Sequence, residues 1–169
     1  DAHGEAVARA MPRLTRSLAE EGTALSVGDW VLGQNDAHGG RWVVARMEPT
    51  NHLVRIDGYG RRHPVVSNVD VALLVMGLDA DFSPRRLERY LALVQGSSVE
   101  PVVVLSKADL CAAELEQRLD SLRSRLPAGL NMVAINALDP SATLQLAPWL
   151  AAGQTLVLPG SSGAGKSTL

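Results

Sequence analysis

Apolar and polar positions alternate in two different ways along this chain. Between residues 25 and 67, three short β-rich runs recur, separated by turn sequences such as GQNDAHGG and EPTN. This spacing predicts a small antiparallel β-barrel or sheet spanning 25–67. The weakly patterned residues 1–24 predict an N-terminal arm, and YGRRHPVVSN predicts a polar connector. The three β-rich runs are SVGDWVL, RWVVARME and HLVRID.

A different sequence pattern begins near residue 68, where continuous apolar runs alternate with segments of helical periodicity. A run of this kind is expected for a strand buried on both faces. Apolar residues at i, i+3, i+4 and i+7 predict an amphipathic helix that starts at Ser83 and Pro84, and leucines from Leu115 to Leu126 predict another. The βαβαβαβ order predicts a parallel sheet with right-handed crossovers. The four predicted strands are 69–77, 101–106, 131–136 and 154–160.

Composition narrows the class of protein. Apolar residues make up 46% of the 169 residues, enough for a packed core, and the net charge of −2 excludes a globally basic nucleic-acid binder. Cys111 is the only cysteine, which excludes an internal disulfide and a cysteine-rich zinc site in these residues. No apolar run reaches the roughly 18 residues of a membrane span. We therefore expect a cytoplasmic protein that does not bind membranes.

The segment GSSGAGKS, residues 160–167, fits the phosphate-loop pattern G-x-x-x-x-G-K-[ST]. Its glycines allow positive φ and close backbone approach, so that successive N–H groups can surround phosphate oxygens. Lys166 adds a charge at the β and γ phosphates, and the Ser167 hydroxyl is the expected Mg²⁺ ligand, which makes these two the candidate catalytic residues. A flexible glycine-serine turn is the alternative. The predicted phosphate-binding residues are Gly160, Ser161, Ser162, Gly163, Ala164, Gly165, Lys166, Ser167 and Thr168.

A phosphate loop normally feeds the N-terminus of a helix, whose free N–H groups face the phosphate. Only residues 166–169 follow here, about one turn, and an isolated turn is not a stable helix. We expect the nucleotide-binding domain to be incomplete in this chain.

The strand VVVLS ends in Ser106-Lys107-Ala108-Asp109, close to the N-K-x-D signature of GTPases. A carboxylate at Asp109 can accept hydrogen bonds from guanine N1–H and the 2-amino group, whereas adenine offers no such pair of donors. The stem of Lys107 can lie over the purine face. Ser106 replaces the usual Asn and cannot make the same amide contacts to the base and the neighbouring loop, so we expect a loss of about 1 kcal/mol in binding. The alternative is a solvated turn in which Asp109 caps the next helix.

After the third strand, INALD places Asn136 and Ala137 where GTPases usually carry a Ser-Ala pair. The backbone N–H of Ala137 is a candidate donor to guanine O6. Both base-reading segments precede the phosphate loop, the reverse of the usual order. A circular permutation explains this order, because termini often lie close enough to be joined.

This order behind a small β domain resembles the circularly permuted GTPase family that acts on the small ribosomal subunit, often called RsgA. The segments VGDWV, SNVDVALLVMG, FSPRRLERYL, VVVLSKADL and PGSSGAGKSTL carry the resemblance. It implies an OB-fold at 25–67, followed by the first part of a permuted α/β P-loop GTPase domain at 68–169. It also implies GTP, GDP and Mg²⁺ as ligands, hydrolysis of GTP to GDP and phosphate, and a monomer that acts in assembly of the small (30S) subunit. The family's zinc lies in a C-terminal domain, and this chain carries no ligands for it.

An OB-fold commonly binds single-stranded nucleic acid through a basic face that carries aromatic residues. The resemblance implies ribosomal RNA as the target. Alternatively, Trp30 and Trp42 are core residues, and the basic run at 61–63 is a solvated linker. The candidate RNA-binding residues are Arg41, Arg46, Arg55, Arg61 and Arg62.

Two other functions remain open at this point. One is a non-catalytic RNA-binding module with a vestigial nucleotide site, which Ser106 would favour. The other is an ATP-dependent P-loop enzyme. No residue of the chain clearly orients an attacking water, so we expect these residues alone to turn over little GTP.

Overall fold

The computed structural model describes residues 4–169, which divide into two compact units. The first ends at Asn68 and the second begins at Val69. The first three residues of the predicted arm lie outside the described residues. No helix among residues 4–169 is both long and apolar enough to cross a membrane.

The first unit contains two small sheets. In one, β3 pairs with β2 in antiparallel fashion and with the short β1 in parallel, and in the other β4 and β5 are antiparallel. Leu18, Leu53 and Val66 are its buried apolar residues. The elements are β1 (Arg9–Ala10), α1 (Pro12–Glu20), β2 (Val31–Asn35), β3 (Arg41–Arg46), β4 (His52–Ile56) and β5 (Arg62–Ser67).

Residues 9–20, which the sequence assigns to an arm, form β1 and α1. Pro12 occupies the first turn of α1, where its missing N–H costs nothing, and Leu18 is buried against the unit. The strand predicted from Ser26 begins only at Val31, because Asp29 closes a turn by accepting a hydrogen bond from the Ser26 N–H at 2.8 Å. The strand then runs to Asn35, into the predicted turn.

The connector predicted at 59–68 is wrong, since Arg62–Ser67 form β5. The polar residues of this strand give no recognisable strand pattern in the sequence, and Pro64 disfavours a strand at this position. The proline is tolerated because it pairs with Val54 at a register shift between Leu53 and Val54, where the ladder is already interrupted. Val66 is buried opposite Leu53, which fixes the register.

The turn at residues 26–28 is bonded to the end of β5. The Ser67 N–H donates to Val27 O at 2.9 Å, and the Ser26 and Ser67 hydroxyls lie 2.7 Å apart. Gly28 has φ +86°, and a Cβ there would lie 2.1 Å from Ser67 O. Only glycine fits this position, because a side chain would collide with backbone that cannot move aside.

The second unit is a four-stranded parallel sheet in the order β8-β7-β6-β9, as its strand-helix alternation predicts. All seven residues of β6 are buried, which explains its unbroken apolar sequence. The elements are β6 (Val71–Gly77), α2 (Pro84–Val94), β7 (Glu100–Ser106), a 3-10 turn (Ala108–Cys111), α3 (Leu115–Arg123), β8 (Asn131–Ala134), α4 (Ser141–Leu146), a second 3-10 turn (Ala147–Trp149) and β9 (Leu156–Val157).

The helices of this unit cover the sheet with their apolar faces. Leu87, Leu91 and Val94 of α2 are buried, as their spacing predicts. Ser83 has the extended backbone of an N-cap but donates and accepts no capping hydrogen bond through its side chain. Helix α4 ends at Leu146, and the chain tightens to 3-10 geometry around Pro148, whose ring cannot continue an α-helix.

We expect Gly28→Ala to lower the free energy of unfolding of the first unit by about 3 kcal/mol or more, because it adds a backbone clash to a positive φ. Urea unfolding followed by circular dichroism measures the loss. Gly58→Ala is the matched control, since a Cβ at Gly58 meets nothing within 4 Å. Equal stability of the two variants would contradict the assigned role of Gly28.

Candidate nucleotide-binding site

The carboxyl ends of the parallel strands gather the residues that the motifs single out. Such edges are where open α/β sheets bind ligands. A cavity of about 280 Å³ lies there and is lined by both base-reading segments and by the phosphate loop. Its lining consists of Ser106, Lys107, Asp109, Leu110, Asn136, Ala137, Leu138, Gly165 and Thr168.

Ser106 ties the end of β7 to the phosphate loop. Its hydroxyl donates to Ala164 O at 2.6 Å, and both residues are completely buried. Gly165 lies beside it, since a Cβ there would lie 3.5 Å from Ser106 Oγ. The serine hydroxyl therefore contacts the neighbouring loop in its own way, because the loop backbone approaches closely enough for the shorter side chain to reach it.

Asp109 lies exposed on the 3-10 turn that follows Lys107. Among the described residues its carboxylate has no hydrogen-bond or ion-pair partner. Glu114, not Asp109, precedes the first residue of α3, so Asp109 does not cap that helix. Lys107 adopts φ +60°, a left-handed conformation that turns the chain sharply at the end of β7. The carboxylate of Asp109 is therefore available to a ligand.

Asn136 and Ala137 lie beside the SKAD segment, because the Ala108 N–H donates to Ile135 O at 3.1 Å. The Asn136 side chain accepts from the Leu138 N–H at 3.0 Å and so shapes its own turn. The Ala137 N–H donates to no acceptor within residues 4–169. Ala137 therefore presents an unused donor at the cavity, as a contact to a base carbonyl requires.

The phosphate loop leaves most of its backbone donors unused. Gly163 and Gly165 have φ +79° and +84°, and no described acceptor receives the N–H of Gly163, Gly165, Lys166 or Ser167. Gly160 packs against β6, where a Cβ would lie 2.6 Å from Val75 O. A chain of free N–H groups around a turn is a ready anion-binding concavity.

Lys166 folds back on its own loop, donating to Gly160 O at 2.8 Å and to Ser161 O at 2.5 Å. Ser167 is exposed, and its hydroxyl contacts no other described residue. No group of three or more His, Cys, Asp or Glu in the described part of the chain could hold a metal ion. A single hard hydroxyl beside a phosphate loop fits Mg²⁺, which is usually bound by few protein oxygens together with phosphate and water.

Sequence reasoning missed Asp79 and Asp81, in the loop after β6. Asp79 Oδ2 accepts from Lys107 Nζ at 2.5 Å, and Asp81 accepts from the Ser161 hydroxyl and, at 2.5 Å, from Arg86. Carboxylates after a strand have no diagnostic spacing. Both residues follow β6 at the edge of the sheet where β7 and β9 also end, and this position alone could have marked them as site candidates.

The candidate RNA-binding arginines lie in the first unit. Four are exposed: Arg41, Arg55, Arg61 and Arg62. Arg46 is mostly buried, and its guanidinium lies 4.0 Å from the Asp29 carboxylate. Trp30 is 69% exposed and is not a core residue, whereas Trp42 is half-buried and donates to Asp36 at 2.9 Å.

Two grooves in the first unit are larger than the cavity at the candidate site. Grooves of about 550 and 610 Å³ lie in the first unit, along α1 and beside the β2–β3 turn. Neither is lined by a residue of the phosphate loop or of the two base-reading segments. The smaller cavity of the second unit combines unused donors, an unpaired carboxylate and a phosphate loop, so we assign the site there.

Comparison with known proteins agrees with the motifs. The RsgA GTPase family model matches residues 46–169. Relatives named small ribosomal subunit biogenesis GTPase RsgA, from Xanthomonas oryzae pv. oryzae (strain MAFF 311018) and Xylella fastidiosa (strain 9a5c), are each 41% identical to this chain. The alignments cover 96% and 95% of the chain, which spans 44% of each relative's length.

Two solved structures share the fold. YjeQ from Thermotoga maritima matches with a TM-score of 0.65 and 23% identity, over 90% of this chain and 52% of its own. YloQ, described as a circularly permuted GTPase, matches with a TM-score of 0.60 and 26% identity, over 98% and 55% respectively. The family resemblance of the sequence is confirmed: this chain belongs to the RsgA GTPase family.

Proposed function

We propose that this chain binds guanine nucleotides for an enzyme that hydrolyses GTP to GDP and phosphate during biogenesis of the small ribosomal subunit. The observation that carries the proposal is the single cavity shared by Asp109, Ala137 and the phosphate loop. Family membership and the names of the relatives support the same activity.

Guanine selection rests on two unused groups. The Asp109 carboxylate accepts from N1–H and the 2-amino group, and the Ala137 N–H donates to O6. Adenine would leave both protein groups unpaired, and a polar site strongly rejects an analogue that does so. The roles of Ser106, Lys107, Ala108 and Asn136 are to hold these two groups at the base.

Catalysis rests on positioning and electrostatics, because phosphoryl transfer needs little covalent chemistry from the protein. The free amides of the loop and Lys166 stabilise negative charge on the phosphates. Ser167 would hold Mg²⁺, which would supply positive charge to offset that of the phosphates. None of the described residues is placed to orient the attacking water, so we propose that residues 1–169 alone turn over little GTP.

We further propose that the first unit is an OB-fold that contacts ribosomal RNA on the small subunit, in the cytoplasm. Its antiparallel pairs β2–β3 and β4–β5 and its exposed arginines support this proposal. The names of the relatives, which mention biogenesis of the small ribosomal subunit, support that subunit as the partner.

Asp109→Asn should lower affinity for GTP about 100-fold, because the amide nitrogen would face the 2-amino group of guanine. The same variant should gain affinity for XTP, whose 2-oxo group accepts from that amide. Competition against fluorescent GDP measures both, with Asp120→Asn on the exposed face of α3 as the matched control. Equal affinity of the wild type for ATP and GTP would remove the assigned role of Asp109.

Lys166→Ala should reduce kcat/KM for GTP in the full-length protein by about 100-fold, through loss of a charge at the phosphates. Steady-state hydrolysis in the presence of small subunits measures this, with Arg89→Ala, exposed on α2, as control. A vestigial site predicts unchanged nucleotide binding and subunit association, and that result would refute the enzymatic proposal.

Replacing Arg55, Arg61 and Arg62 together by Gln should weaken binding to small subunits and flatten its salt dependence. Each lost phosphate contact lowers the slope of log K against log salt by about 0.7–0.9. Cosedimentation at several salt concentrations measures the slope, and Arg85→Gln with Arg89→Gln on α2 is the control. An unchanged slope would place the RNA contact elsewhere.

A further inference from the structure

The loop that leaves β6 contacts both halves of the nucleotide site. Asp79 accepts a hydrogen bond at 2.5 Å from Nζ of Lys107, which belongs to the base-reading segment. Two residues later, Asp81 accepts from the Ser161 hydroxyl of the phosphate loop. A segment of three residues therefore spans from the base end to the phosphate end.

The fold fixes this loop firmly. Gly77 leaves room for the Asp79 carboxylate, since a Cβ there would lie 2.7 Å from Asp79 Oδ1. The Asp81 N–H donates to the same oxygen at 3.0 Å. Arg118 of α3 donates to Asp79 O at 3.3 Å and stacks 5.0 Å from the centre of the Phe82 ring. Contacts within the protein thus orient the two carboxylates.

Both carboxylates carry their charge at neutral pH. The hydrogen bond from Lys107 is the main cause that lowers the pKa of Asp79 below its ordinary 3.8. Arg86 and then Ser161 lower the pKa of Asp81 in the same direction. A depressed pKa means that these contacts stabilise the fold above pH 3.8 and are lost only as the pH falls through the lower folded-state pKa.

We propose that Asp79 and Asp81 are positioning residues of the nucleotide site. Asp79 anchors the Lys107 ammonium so that its stem lies ready against the purine, and Asp81 anchors Ser161 and with it the amides of the phosphate loop. This inference rests on the proposed guanine-nucleotide function. In this proposal, the loop after β6 aligns the base-reading segment with the phosphate loop.

The physical reason is preorganisation. A free lysine side chain is rich in rotamers, and a glycine-rich loop has many backbone conformations, so ordering either on binding costs affinity. The alternative is simple electrostatics, in which two carboxylates beside a triphosphate repel it. These two explanations predict opposite changes in GDP affinity, because removing a repelling charge raises affinity whereas removing an anchor lowers it.

The test is equilibrium binding of GDP to the full-length protein, by competition with a fluorescent GDP analogue. Asp79→Asn and Asp81→Asn should each weaken binding by about threefold to tenfold. Lys107→Met keeps the apolar stem without the anchored charge, so it should weaken binding by a similar factor. Glu88→Gln breaks a comparable ion pair, with Arg125 at 2.9 Å on the surface of α2 and α3, and should change nothing.

Double variants separate positioning from general damage. In a Lys107→Met background, Asp79→Asn should have no further effect, and Asp81→Asn should have none in a Ser161→Ala background. Tighter or unchanged binding by the single Asp variants, or a loss that persists in these backgrounds, would overturn the inference. Should Asp79→Asn fail to fold, Lys107→Met still tests the anchor. A wild-type protein that does not bind GDP would instead refute the proposed function.

Discussion

The buried hydrogen bond from Ser106 Oγ to Ala164 O is the contact on which the candidate site depends. It joins residues 58 positions apart in sequence, one at the end of β7 and one inside the phosphate loop. Leaving that carbonyl without a partner would cost on the order of 1–3 kcal/mol. Asp109 follows Ser106 by three residues and Lys166 follows Ala164 by two, so the bond fixes the base reader and the phosphate loop relative to each other. The parallel order of β8, β7, β6 and β9 makes this possible, since it directs every carboxyl end to one edge.

The second unit could be predicted because strands that are buried on both faces have continuous apolar sequences. Continuous apolar runs such as Val71–Gly77 have no other common explanation between helical patterns. The first unit was harder, because tertiary pairing overrides local preference there. Strand β5 contains Arg, His and Pro, and is stabilised by Val66 opposite Leu53. Helix α1 has only nine residues and buries only Leu18, so it offers few apolar positions from which to recognise a helix.

The residues of the candidate site also differ in how far the sequence predicts them. Lys166, Ser167 and Asp109 could be proposed from spacing, because phosphates and guanine demand particular groups at fixed intervals. Asp79 and Asp81 could not, since their importance comes from which strands are neighbours in space. The hydrogen bond from Ser106 to Ala164 O could not be predicted for a related reason. The reach of a serine depends on how closely Ala164 approaches it, and no pattern in the sequence carries that distance. Substitutions at motif positions therefore need to be judged against the backbone that surrounds them.

In the proposed complex, the base of one guanine nucleotide contacts Asp109 and its phosphates contact the phosphate loop. A crystal structure of the full-length protein with GDP and Mg²⁺ tests this most directly. We expect guanine N1 and the 2-amino nitrogen to lie about 3 Å from the Asp109 carboxylate. In the same molecule, the β phosphate should accept from the amides of residues 163–167, with Ser167 on the metal. GDP bound with its base away from Asp109, or with its phosphates outside the loop, would contradict the account.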